Sequence, residues 1–283
     1  MSDENKVANQ STFASTVLTS AKQTELRKEF EANGFVKIDQ AFIGEHLSQI
    51  QREVDQMMDR SIKSGRQMEA HWRGEWRENV DVEGDKQARS VLSIHNIQYH
   101  SACLAQLVFH PNLVDPAAAA IGTTDLQLSN TLMHAKPPKI GAAFPMHQDY
   151  DYAPHNLDTL IAVTLYLDDS EVENGCLCIY PGSHKQGYIE KHVHKGSHYL
   201  PMNEYPIDQA TPVPMKAGDL LIFSYLTVHG STPNTSDQWR RMLLFSLRSP
   251  LDNRKSEPEG SVGQGLIVRG VHPNPIPNPE ENY

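Results

Sequence analysis

His147 and Asp149 stand one residue apart in FPMHQDYDYAP, Phe144 to Pro154, and His229 closes the apolar run DLLIFSYLTVH much further along. Imidazole nitrogens and carboxylate oxygens are metal donors, and an aspartate is not a usual core residue. In an extended strand residues i and i+2 project from one face, so His147 and Asp149 aim into one space. Alone the pair is weak, because a chain with 14 histidines produces about one His-x-Asp by chance. With His229 the set becomes two imidazoles and one carboxylate. Such a set fills one face of an octahedron on Fe(II) and leaves three positions open, for O2 and a chelating keto acid. The far carboxylate of that keto acid needs a cation. Arg240 lies eleven residues after His229, at the start of the strand-like run ending RMLLFSLRS. A short hairpin returns it beside the metal, and its planar fork suits a carboxylate. Arg241 then faces the other side of the strand as an ordinary surface charge.

These residues need elements to position them. The pattern predicts a helix over 22–32, ended by Asn33-Gly34, then a short strand at FVKI. Ile43, Leu47, Ile50, Val54, Met57 and Ile62 recur at helical spacing, with Gly65 as the stop. Residues 66–90 are charged and irregular, with Trp72 and Trp76 among them. They read as a surface loop, with a lid over a pocket as the alternative. Residues 101–121 are helical again, with Pro111 and Pro116 as interruptions. After Thr124 the texture changes to short strand-like runs: LQLSNTLMHA, TLIAVTLYL, CLCIY, DLLIFSYLTVH and RMLLFSLRS. Turn chemistry separates them, as in KPPKIG, ENG, PGSHKQG and KAGD. Helices first and strands after predict a mainly β fold with packed helices, a sandwich or jelly roll. The expected organisation is a flexible arm over 1–19 and a single domain over 20–283. Within it lie a helical part at 20–123, a β core at 124–250 and a polar tail at 251–283 that wraps the outside.

Composition narrows the function. The net charge of −10 argues against nucleic acid as a partner. No apolar run is long enough to span a bilayer, and the start, MSDENKVANQ, lacks the apolar stretch of a signal peptide. Three cysteines, Cys103, Cys176 and Cys178, are too few for a disulfide framework, so a reducing cytoplasm is expected. Oligomeric state is not legible.

The order of these pieces resembles the phytanoyl-CoA dioxygenase family of Fe(II)/2-oxoglutarate oxygenases. The resemblance is carried by KPP (Lys136 to Pro138), MHQDYDY, VTLYLDDSEVENGCLCIYPGSHKQG, and GDLLIFSYLTVHGS followed by WR, over roughly Leu126 to Pro250. It implies a double-stranded β-helix, a cupin-like jelly roll. It implies that His147, Asp149 and His229 hold Fe(II), and that Arg240 binds the 2-oxoglutarate carboxylate with help from Ser231. Thr164 and Leu132 fall where relatives line the co-substrate pocket, with ordinary core packing as the alternative for each. Asn130 and His134 share a face with Leu132, within reach of the same pocket. The implied reaction uses O2 and 2-oxoglutarate to oxidise, most simply to hydroxylate, a C–H of a small molecule, with release of succinate and CO2. Halogenation is disfavoured, since Asp149 fills the position that chloride would need.

Other features have plainer readings. His184, in NGCLCIYPGSHK, reads as a structural turn residue rather than a ligand or base. HVHKGSH, with His192, His194 and His198, is a rival zinc clamp, but it lacks nearby cysteine partners and reads as a solvated or lid segment. Tyr150 and Tyr152 either touch substrate or pack on the jelly roll. Two other classes use the same donors: a metal-binding or sensing protein without turnover, and a cupin-type isomerase or hydrolase.

Overall fold

The computed structural model describes residues 18–64, 69–70, 91–190, 192–194, 197–255 and 265–273. Most of the expected arm and the 66–90 segment, with Trp72 and Trp76, lie outside them.

Helix α1 (Ser20–Asn33) begins where Thr19 Oγ1 accepts from the Lys22 N–H at 3.3 Å. It ends at Gly34, which takes φ 80° and donates its N–H to the Phe30 carbonyl. Helix α2 (Gly44–Lys63) buries Ile50, Val54, Met57 and Met58. Ile43 and Ile62, the outer members of the expected stripe, are exposed. Helices α3 (Ala102–Leu107) and α4 (Pro111–Ile121) follow. Pro111 opens α4, where its missing N–H has no intrahelical acceptor to lose. Pro116, expected to interrupt, lies inside α4. It is buried with Ala117, Ala118 and Ala120, so packing against the rest of the molecule outweighs the lost hydrogen bond.

The major sheet runs in the order β1 (Phe35–Ile38), β11 (Leu220–Ser224), β6 (Ile161–Tyr166), β13 (Arg240–Arg248), β4 (Leu126–Lys136), β3 (Val91–His95) and β2 (Glu69–Ala70). Strand β14 (Ile267–Arg269) also pairs with β4. The minor sheet runs β10 (Thr211–Val213), β7 (Leu177–Ile179), β12 (His229–Ser231) and β5 (Phe144–His147). Strands β8 (His192–His194) and β9 (Ser197–Tyr199) form a separate hairpin. The chain alternates between the two sheets from β4 to β7 and again from β10 to β13, and every one of these pairings is antiparallel. This alternation is the double-stranded β-helix.

Strand periodicity sorts the core into two layers. Ile161, Val163, Leu165, Leu243, Phe245 and Leu247 face the helices, packed with Leu26, Ile50, Val54 and Leu113. Ala162, Tyr166, Leu221, Phe223 and Met242 face inward, against Leu177 and Ile179 of the minor sheet. Burial on both faces is why these strands read as continuous apolar runs.

Three features of these elements matter. The expected FVKI strand, β1, joins the major sheet, and so does β3, a strand that the sequence pattern did not show. DLLIFSYLTVH is not one strand: it breaks after Ser224, where the Thr227 N–H bonds to the Ser224 carbonyl at 2.8 Å, and crosses to the minor sheet. The described tail is tied down at Asp252, which is fully buried and accepts from Leu157 N–H, Thr159 N–H and Thr159 Oγ1.

Candidate metal centre and anion pocket

Strand β5 ends at His147, so Asp149 is not a strand residue; it opens a 3-10 turn, Asp149–Tyr152. Gln148 between them keeps extended torsions, φ −114° and ψ 143°, and so preserves the same-side relation. Gln148 is fully buried. Its Nε2 donates to the Gly187 and Leu226 carbonyls at 2.9 and 2.6 Å, and its Oε1 accepts from the Ile189 N–H at 2.9 Å. The residue between the two donors thus fixes the bend that aims them.

His229 begins β12, directly across from His147 on β5. The two rings lie 4.3 Å apart. Asp149 Oδ1 is 3.5 Å from His147 Nε2 and 3.8 Å from His229 Nε2, separations that one ion with bonds of about 2.1 Å can bridge. His147 Nδ1 faces the Pro145 carbonyl at 2.7 Å, and His229 Nδ1 faces the Thr227 carbonyl at 2.9 Å. A carbonyl only accepts, so each Nδ1 carries the proton and each Nε2 keeps its lone pair for the metal. Among the described residues this is the single cluster of histidine, cysteine and acidic side chains with metal-binding spacing. The donor set of two neutral imidazoles and one carboxylate fits Fe(II).

Arg240 heads β13 and is fully buried. Its Nε approaches Ser170 Oγ at 3.4 Å, while Nη1 and Nη2 have no hydrogen-bond partner among the described residues. The Tyr166 ring lies on the same inner face, its centroid 5.8 Å from Arg240 Cζ. Unpaired buried guanidinium nitrogens are costly. They mark a place built for an anion, and a carboxylate matches the fork. The neighbouring basic residue was missed. Lys136, directly across from Arg240 on β4, is fully buried and donates to Ser231 Oγ at 2.7 Å and the Thr232 carbonyl at 2.5 Å. A lysine ending an apolar strand was the available signal.

Thr164, Leu132, His134 and Asn130 share the inner face. Leu132 and Thr164 flank Leu244 across β4, β13 and β6, while His134 opposes Met242 and Asn130 opposes Ser246. Thr164 Oγ1 donates to the Leu221 carbonyl at 3.0 Å. His134 Nδ1 pairs with Ser93 Oγ at 2.6 Å, and its ring lies 5.2 Å from Phe144. Burial, then the Arg240 charge, push its pKa down to about 3, with Asp149 opposing. His134 is therefore a neutral imidazole.

The remaining candidates separate cleanly. Arg241 faces the helices and forks onto Asp168, at 2.8 and 2.7 Å, with Asp55 of α2 as a further partner. His184 packs on the end of α1, its Nε2 3.3 Å from the Glu31 carbonyl, as a turn residue. Tyr150 stacks on Tyr188 at 4.6 Å and packs with Tyr225. Tyr152 lies edge-on to His147, 6.4 Å between rings, and is partly exposed. His198 sits against Tyr152 at 5.0 Å and near Asp151. The side chains of His192 and His194 lie outside the described residues.

The phytanoyl-CoA dioxygenase (PhyH) family profile matches residues 30–242. A probable alpha-ketoglutarate-dependent hypophosphite dioxygenase of Stutzerimonas stutzeri is 25% identical, over 78% of this chain and 77% of its own. An ectoine dioxygenase of Bordetella bronchiseptica is also 25% identical, over 87% of this chain and 80% of its own. Among solved structures, the epimerase SnoN in complex with Fe3+, alpha ketoglutarate and nogalamycin RO superposes with a TM-score of 0.69 at 17% identity, covering 89% of this chain and all of that one. The alpha-ketoglutarate-dependent carbocyclase SnoK gives 0.66 at 21% identity, over 84% and 87% of the two chains. At these identities the structures speak for the fold.

Proposed function

Because the chain belongs to the phytanoyl-CoA dioxygenase family, we propose that it oxidises, most simply hydroxylates, a C–H bond of a small molecule, consuming O2 and 2-oxoglutarate and releasing succinate and CO2. Bound Fe(II) and 2-oxoglutarate supply the oxygen activation; the protein supplies binding, orientation and a shielded site. In this reading His147, Asp149 and His229 hold the iron. Arg240 takes the far carboxylate of 2-oxoglutarate, with Ser231 beside it and Thr164, Leu132, His134 and Asn130 lining the space between. The observation that carries it is the buried guanidinium of Arg240, its Nη atoms unpaired, inside the same barrel as the donor triad. A metal-sensing jelly roll has no use for that group.

A small-molecule substrate is supported by the relatives, whose names specify hypophosphite and ectoine. The net charge of −10 disfavours nucleic acid. Among the described residues no helix is long and apolar enough to cross a membrane. Three unpaired cysteines support a cytoplasmic location. The test is a succinate-release screen over small metabolites, with Fe(II) and 2-oxoglutarate each omitted in turn. Substrate-stimulated succinate that requires both supports the proposal. Loss of the metabolite itself in the absence of 2-oxoglutarate, followed in the same screen, removes it in favour of an isomerase or hydrolase.

A further inference from the structure

We propose that Lys136 is a second, proton-accepting cation for the 2-oxoglutarate carboxylate: neutral before the co-substrate arrives, it takes a proton from solvent as the carboxylate docks on Arg240. This rests on the co-substrate reading above.

The register of β4 and β13 sets Lys136 and Arg240 opposite each other. Cross-strand partners of this kind hold their Cβ atoms about 5 Å apart on one face. Both side chains are fully buried. Two adjacent cations without an anion are unfavourable in such a site, and an arginine keeps its proton, so the lysine yields. Burial first, and the Arg240 charge second, hold the Lys136 amine well below its ordinary pKa.

The hydrogen bonds agree. A neutral amine has two N–H bonds, and among the described residues Lys136 Nζ has two acceptors, Ser231 Oγ and the Thr232 carbonyl. Protonation adds a third donor, which needs a further acceptor. A carboxylate arriving at Arg240 supplies that acceptor and cancels the neighbouring positive charge. The proton comes from bulk water and bonds to the Nζ lone pair. 2-Oxoglutarate cannot donate it, because carboxylic acids are already ionised at neutral pH.

The groups that act on Lys136 include one competing acid, Cys176. Arg240 faces it from β13, Tyr166 lies by Arg240 on β6, and the Phe144 ring from β5 is 5.5 Å from Nζ. Ser231 and Thr232 supply acceptors from β12 and the residue after it. Cys176 and Cys178 approach from the minor sheet. The turn is closed at Gly175, where a Cβ would come within 3.0 Å of Nζ. Cys176 is the one rival proton carrier: hydrogen bonding to Cys178 first, with the Arg240 charge contributing less, brings its pKa to about 7, so at pH 8 its thiolate is the other group able to take up a proton.

The experiment is anaerobic calorimetric titration of the Fe(II)-loaded protein with 2-oxoglutarate at pH 8, in phosphate and in Tris, whose ionisation heats differ. The wild type is expected to take up close to one proton per 2-oxoglutarate, with affinity falling about tenfold per pH unit where uptake is complete. Lys136→Met is expected to lose the uptake and bind on the order of tenfold more weakly, while Cys176→Ala keeps it. Binding to the wild type without proton uptake overturns the inference, as does uptake that survives in Lys136→Met or disappears in Cys176→Ala. Should Lys136→Met not fold, the wild-type proton count and the Cys176→Ala arm decide. No binding heat at all from metal-loaded wild type defeats the co-substrate reading instead, a separate result.

Discussion

A single nitrogen decides whether His147 and His229 can serve a metal. Each Nδ1 is committed to a carbonyl two residues back, so the opposite nitrogen is the one turned towards Asp149 and the metal site. Replacing His147 or Asp149 by Ala is expected to abolish turnover and leave the protein metal-free after desalting, as read by metal analysis. Arg240→Met separates two properties. It removes the anion partner, so the KM for 2-oxoglutarate should rise at least tenfold with metal content unchanged. It also removes an unpaired buried charge, so the metal-free variant should be more stable than the wild type, by about 1–4 kcal/mol in urea titration. An unchanged KM would remove Arg240 from co-substrate binding. The triad and Arg240 were legible because their residue types are unusual at those spacings. Gln148, Tyr166 and Lys136 were not, since a glutamine, a tyrosine and a lysine look ordinary until burial shows what surrounds them.

At the scale of elements, the helices are held to the sheet by a few close approaches. Gly218, in the turn before β11, takes φ 94°, and a Cβ there would fall 1.9 Å from the Phe42 carbonyl oxygen. Gly218→Ala should therefore cost about 3 kcal/mol or more through backbone strain and overpacking, seen as a lower unfolding midpoint in urea. A midpoint within error of wild type would mean that the loop before α2 moves freely. Long apolar strands such as β4, β6 and β13 were readable from sequence because both faces are buried. Short strands were harder. VLSIH at β3 buries only Val91 and Ile94, and FPMH at β5 contains a proline. The break between β11 and β12 was hidden because both halves are apolar; the turn is made by Ser224 and Thr227, not by glycine or proline.

For the whole molecule, acid is the revealing perturbant. His110 caps α4 by accepting the Asn112 N–H on Nδ1 at 3.1 Å and packs against Phe42 and His46. Burial, then His46, lower its pKa to about 4. The unfolded chain, with its histidine near 6.5, binds the extra proton first. His110 therefore contributes full stability above about pH 6.5 and loses it as pH falls towards 4, by up to about 1.4 kcal/mol per pH unit. His110→Asn, which keeps a capping side chain, should flatten that part of the urea-midpoint profile. A profile that keeps its slope would assign the acid sensitivity elsewhere.

The crossing of the chain between its two sheets has a temporal consequence. His147 and Asp149 leave the ribosome long before His229, and β12 is what brings the third donor beside them. During synthesis the nascent chain holds only two of its three donors, which is a poor iron trap. Capture of the ion belongs to the last stage of assembly, when most of the barrel that must shield it is already in place.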